Sequence, residues 1–191
     1  MIAEAPVAAT EKWTYDAISN IADNKRREIY HGSVYEMPSP SVLHQLVCRA
    51  LIRALERWID AGGHGIIFYQ AVDLVLSNES VFVPDFSYYE TESLNSVVSE
   101  DKRYLVAPPN LIVEVISPSS AAHDRVTKYR AYAEFGVRHY WIVDGEAKTL
   151  HAFVLNANHY LEEAVLQAGE EFQRRLFPGL VINLDTIFQG V

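Results

Sequence analysis

The longest regular pattern in the chain is helical. Val42, Leu43, Leu46, Val47, Ala50, Leu51, Ala54, Leu55, Trp58 and Ile59 recur at three- and four-residue spacing, which lines up one apolar helix face. Ser39 is placed to cap that helix, Pro40 suits its first position, and Gly62-Gly63 stops it. Upstream, a helix is predicted over 15–23 with Thr14 as its cap. Between them REIYHGSVYEM reads as two short strands turning at His31-Gly32.

Beyond the long helix the period changes to that of strands. Two are predicted over 66–76 and 80–89, joined by a polar turn around Asn78. Leu111-Ile-Val-Glu-Val-Ile116 is short, β-branched and almost wholly apolar, as expected of a central strand buried on both faces. Ser117-Pro118-Ser119-Ser120 breaks it, and a helix follows to about 135, where Gly136 ends it. Strands at 139–144, 149–155 and 159–165 and a short helix at 184–188 complete the pattern. This order fits an α/β architecture, a mixed sheet with helices packed on it. The sequence shows no internal repeat or linker, so it predicts a single domain over 14–191 behind a flexible start, 1–13.

Composition narrows the function classes. At 191 residues, 49% hydrophobic and 21% charged, the chain is an ordinary globular one with a core of its own. Cys48 is the only cysteine, which excludes an intrachain disulfide and multi-cysteine zinc sites. No stretch of about 18 apolar residues offers a membrane span, and the start lacks signal-peptide character, so cytoplasm is the expected compartment. A net charge of −9 argues against coating nucleic acid by bulk electrostatics. The stretch 101–140 alone has a positive balance, from Lys102, Arg103, Arg125, Lys128, Arg130 and Arg138.

That stretch also contains the residue most in need of explanation. Glu114 interrupts an apolar strand, where an ionised carboxylate is costly unless compensated. A buried ion pair and a metal site explain it equally well. Val83-Pro84-Asp85 puts a second acid directly after a proline, which marks a strand end or bulge and can re-aim a side chain toward an active site. Taken alone, Asp85 reads as a turn cap; next to Glu114 it would complete an oxygen-donor site for Mg2+ or Mn2+. Asp124 and Lys128 have the i,i+4 spacing of an exposed helix ion pair, which by itself is the simpler reading. The helix nevertheless leaves the strand end that presents Glu114, so Lys128 could point back at the same site.

Taken in order, Val83-Pro-Asp85, Leu111-Ile-Val-Glu-Val-Ile-Ser-Pro-Ser-Ser120, then Asp124, Lys128, Tyr132-Ala, Gly136-Val and Tyr140-Trp-Ile-Val-Asp144 resemble the Uma-two endonuclease family of the PD-(D/E)XK nuclease superfamily. Glu28-Ile, His31-Gly, Val34-Tyr-Glu-Met-Pro38 and His44 fit the same pattern. The resemblance spans nearly the whole chain. It implies a restriction-endonuclease-like mixed sheet flanked by helices, with an N-terminal helix and hairpin.

For the site, the resemblance implies that Asp85, Glu114 and the Val115 backbone carbonyl bind the metal. The position two residues after the acid, which usually holds lysine, holds Ile116. Lys128 is therefore implied as a lysine displaced onto the helix. Glu36 would be an auxiliary acid near the metal, with His44 and Asp124 next to the substrate or the metal ligands. A solvated hairpin acid, a half-buried histidine and a surface ion pair explain these three at least as well. The activity implied is DNA phosphodiester hydrolysis with Mg2+ or Mn2+, by a homodimer. Two other readings stay open: a non-catalytic nucleic-acid-binding or regulatory module, and a metal-dependent hydrolase of small phosphorylated substrates. No phosphate-cradling glycine motif, nucleophile elbow or zinc-like histidine spacing appears.

Overall fold

The apolar periodicities become the following elements in the computed structural model, which describes residues 12–23, 25–69, 72–91 and 93–189. Helix α1 (Tyr15–Ser19) leads into the hairpin β1 (Arg27–Tyr30) and β2 (Ser33–Glu36), and then the long helix α2 (Val42–Asp60). Strands β3 (Ile66–Tyr69), β4 (Leu74–Ser77), β5 (Ser80–Phe82), β6 (Phe86–Tyr89) and β7 (Leu111–Ile116) follow. A π-helical segment, His123–Lys128, continues into α3 (Tyr129–Glu134). The chain then forms β8 (His139–Asp144), β9 (Thr149–Asn156), β10 (His159–Gln167), β11 (Glu171–Phe172), β12 (Ile182–Asn183) and α4 (Leu184–Ile187). The flexible start expected over 1–13 lies largely outside the described residues. Trp13, however, is tied down, its N–H donating to the Gly32 carbonyl at 3.0 Å.

The main sheet has the order β10-β9-β8-β7-β6-β3, and a second sheet runs β2-β1-β5-β4. Strands β7 and β8 are parallel, joined by the helical crossover between them; the other pairs are antiparallel. β7 is central and buried along its whole length, as its sequence requires. Its residues alternate between two cores. Leu111, Val113 and Val115 pack with Val47, Leu51 and Leu55 of α2, whereas Ile112 and Ile116 pack with Tyr132 of α3, Tyr140 and Phe82. No helix among the described residues is long and apolar enough to cross a membrane.

Several expectations need correction. The two long strands 66–76 and 80–89 are four short ones. Their inner halves, β4 and β5, pair in the second sheet, while β3 and β6 pair in the main one. The second run breaks at Val83-Pro84-Asp85, where Pro84 has no N–H for a ladder. The first helix is shorter than predicted, although Thr14 does cap it, accepting from the Ala17 N–H at 3.2 Å. The hairpin turn at His31-Gly32 is as expected: φ is positive at both residues (49° and 80°), as the tight primed turns demand. Neither the β11–β12 pair nor the π-helical segment was legible.

The cap of α2 also differs. Ser41, not Ser39, accepts the His44 N–H at 3.1 Å, and Pro40 lies outside the helix. Ser41→Ala is therefore expected to reduce stability by about 1 kcal/mol, as loss of an N-cap typically does. Ser39→Ala should stay within about 0.5 kcal/mol of the parent. Urea unfolding of the two variants checks the assignment.

Candidate active site

Alternation along β7 turns Glu114 toward the same core as Ile112 and Ile116, under the crossover helix, where it is 3% exposed. Two side chains one helical turn apart meet it there. The Lys128 ammonium donates to Glu114 Oε1 at 3.0 Å, and the Tyr132 hydroxyl donates to the same oxygen at 2.8 Å. Lys128 is itself only 2% exposed and also lies 3.0 Å from Glu28 Oε1 and 3.2 Å from Asp124 Oδ1. The expected surface pair of Asp124 and Lys128 is thus a buried one. It sits in the π-helical segment, where the Tyr129 N–H reaches back to the Asp124 carbonyl; such wide turns recur at functional sites.

Glu28 binds the hairpin into this cluster. Its Oε1 accepts the Val83 N–H at 2.9 Å and its Oε2 faces His123 Nε2 at 2.8 Å. The contact with Val83 fixes the chain where β5 ends, one residue before Pro84. Asp85 follows, and its Oδ2 accepts the Val115 N–H at 2.7 Å and faces His44 Nε2 at 2.9 Å. That amide needs a side-chain acceptor because the β6–β7 ladder pairs Phe86 with Val113 and runs no further toward Val115.

Asp85, Glu114, Val115, Asp124 and Lys128 line one cavity of about 120 Å³, with His44 and Arg26 also on its wall. Ser117, Ser119 and Ser120, from the break after β7, complete the mouth. Glu36 is not brought there: it stands exposed on β2, paired with Lys25 at 2.8 Å and with Arg27 at 3.7 Å. The hairpin acid that does reach the cluster is the buried Glu28, 3.0 Å from Lys128. Of Val115, it is the amide rather than the carbonyl that the structure brings to Asp85.

Glu28, Glu114 and Asp124, each 3% exposed or less, meet one lysine, while Asp85 on the adjoining wall faces His44, Glu28 also faces His123, and Arg26 lines the cavity. Burial pushes the Glu114 carboxyl well above its ordinary value of 4.5; Lys128 opposes this, while Asp85, Asp124 and Glu28 add to it. Burial would raise Glu28 too, but Lys128, the His123 hydrogen bond and the Val83 amide hold it below 4.5. Burial would lower Lys128, yet Glu114, Glu28 and Asp124 carry it well above 10.5. His123 Nδ1 and Arg26 Nε are buried without a hydrogen-bond partner among the described residues, and Asp124 Oδ1 has only its ion pair with Lys128. Carboxylate oxygens are the donors a hard divalent cation takes, but among the described residues the only three His, Cys, Asp or Glu side chains with ligand atoms close enough together to share an ion are His44, Cys48 and Asp85.

That set is a softer one. His44 and Cys48, four apart on α2, and Asp85 offer ligand atoms within 4.8 Å of one another. Burial, with Asp85 and Glu114 nearby, pushes the Cys48 thiol well up, so a metal here would have to displace its proton. The expectation of no zinc-like spacing considered histidines alone and passed over this His-x3-Cys pair.

A family model described as "Putative restriction endonuclease", Uma2, matches residues 13–185. The chain belongs to the Uma2 family. It is 24% identical over 196 residues to an uncharacterized protein of a Synechocystis strain, an alignment covering 100% of this chain and 99% of that one. It also resembles, at 14% identity and a TM-score of 0.75, the crystal structure of a "putative nuclease belonging to DUF820" from Anabaena variabilis, which covers 92% of this chain and 97% of that chain. That likeness shows a shared fold. The Uma2 assignment supports a nuclease, and restriction-endonuclease-like families generally use divalent metals.

Removing Lys128 tests the buried cluster. Breaking a buried pair costs about 3–5 kcal/mol, and the pH dependence has a definite sign. Glu28, held below 4.5 in the fold, stabilises fully above 4.5 and loses that effect as the pH falls through its folded value. Glu114, raised in the fold, weighs increasingly against folding as the pH climbs from 4.5 through its folded value. Lys128, raised above 10.5, contributes fully below 10.5 and loses effect only as the pH rises through its folded value. Lys128→Met should therefore destabilise most at pH 7–8 and progressively less as the pH falls toward 4.5. Urea unfolding at pH 5 and 8 reads this out.

Proposed function

We propose that the chain is a metal-dependent endonuclease that hydrolyses DNA phosphodiester bonds at the cavity between Asp85, Glu114 and Lys128. The observation that carries this reading is the surplus of carboxylates at a small cavity, Asp85 and Glu114 among them, with one fully buried lysine beside them.

Asp85 and Glu114, with the Val115 carbonyl, would hold the ion, Mg2+ or Mn2+. When bound, such an ion polarises a phosphodiester and makes water a better nucleophile at neutral pH. Lys128 keeps its proton at neutral pH because its value is raised. It therefore acts as a fixed cation and hydrogen-bond donor rather than as a base, orienting water and offsetting charge that develops on phosphate. Glu28 and Asp124 hold that ammonium in place from two other directions. His44 steadies Asp85, whose other partner on the same oxygen is the Val115 amide. The serine hydroxyls at the mouth suit phosphate oxygens. A homodimer belongs to this reading through the family resemblance, and light scattering checks it.

Plasmid and single-stranded DNA incubated with the protein in Mg2+ or Mn2+ test the proposal. Wild type should cut, and Asp85→Asn and Glu114→Gln should each lose about 100-fold or more, the scale seen when an electrostatic stabiliser is removed from a site. Circular dichroism establishes that the variants are folded. An inert wild type with either metal, or variants that cut like wild type, would favour the non-catalytic nucleic-acid-binding module instead.

A further inference from the structure

A second cavity, about 750 Å³, runs along the outer face of α2 and opens at one end onto Pro84 and Asp85. It is a groove rather than a hole, and its walls have two characters. Arg49 and Arg53, one helical turn apart and both exposed, stand along the α2 side, with Arg26 at the end nearest the catalytic cavity. Ile52 lies between the arginines, and Tyr69, 37% exposed at the end of the edge strand β3, faces them from the sheet.

Lys12, Lys25, Arg27, Arg125 and Arg174 each have a carboxylate within ion-pair distance, whereas Arg26, Arg57, Arg130, Arg138 and Arg175 have none among the described residues. Arg49 and Arg53 pair with none among the described residues, although Glu56 lies on the same wall. Two unneutralised guanidinium groups in line, ending at an anion-processing centre, suit consecutive phosphates of one strand. Tyr69 and Ile52 suit something else, a flat apolar face. A base in a duplex hides its faces in the stack, whereas an unpaired base exposes them to an aromatic ring. The net charge of −9 points the same way, because duplex binding rests on many phosphate contacts.

We infer that this groove is the track of an unpaired nucleic-acid strand, with phosphates on Arg49 and Arg53 and a base against Tyr69, leading the scissile phosphate to Asp85. The inference rests on the nuclease reading for its direction, but binding can be measured without cleavage. A fluorescein-labelled oligo(dT) of about 12 nucleotides is titrated by anisotropy against the full chain, in EDTA and in Ca2+, beside the same strand paired with oligo(dA). The single strand should bind at least about 10-fold more tightly than the duplex. Arg49→Ala/Arg53→Ala should weaken it by about 10-fold or more and reduce the salt slope by about 1.4, two phosphates at about 0.7 each for a single strand. Tyr69→Ala should weaken it by about 5-fold or more, on the scale of one lost base stack.

Equal or tighter duplex binding, no binding of oligo(dT), or arginine variants that bind like wild type would each overturn the inference. So would a double variant that only shifts the molecular mass in light scattering, which would make the groove the seat of a second copy. The two readings fail differently. Oligo(dT) binding that depends on the arginines without any cleavage removes the nuclease and keeps the groove; cleavage indifferent to the arginines does the reverse.

Discussion

The Lys128 ammonium is the point on which the molecule converges. Glu28 comes to it from the hairpin, Glu114 from the central strand and Asp124 from its own helix. Each of these acids would be intolerable alone at its depth, and the lysine would be too. Together they fix the second sheet against the first and the crossover helix against β7. The local irregularities follow from the same contact. Glu28 can reach Lys128 only with its other lone pairs occupied, and it takes the Val83 amide and His123. That ties down the chain before Pro84, from which Asp85 swings toward the end of β7.

What the lysine cannot do is neutralise everything around it. Three carboxylates meet one ammonium in the interior, with Asp85 on the adjoining cavity wall, and Glu114 is left with its carboxyl raised by burial and by its acidic neighbours. A site in that condition favours the arrival of positive charge, and the cavity gives it access to solvent. In the proposed reading the carboxylates would draw a cation and the fixed ammonium a phosphate.

Much of this was readable from the chain because some signals are local. An acid inside an apolar run is anomalous whatever surrounds it, which is why Glu114 and its strand stood out. The long apolar stripe of α2 and the positive-φ turn at His31-Gly32 are equally local. Glu28 was not legible as part of the site, since a charged residue in a short hairpin strand ordinarily faces water. Here β1 is covered on both faces, so Glu28 and Ile29 are both buried and alternation says nothing. Glu36 pairs with Arg27 at the open end of the hairpin, one residue beyond the Glu28–Tyr35 pair, and is left exposed. The split of the 66–76 and 80–89 runs between two sheets, and the burial of the Asp124–Lys128 pair, depend on tertiary packing that no spacing encodes.

The central claim is that the buried cluster is a cation site and not merely a set of ion pairs. Titration of Mn2+ into the protein, followed by the loss of free-ion signal in electron paramagnetic resonance, measures this without reference to any substrate. The account predicts saturable binding of at least one ion per chain that is lost in folded Asp85→Asn and in folded Glu114→Gln. No saturable binding by wild type, or binding that both variants retain unchanged, would contradict it.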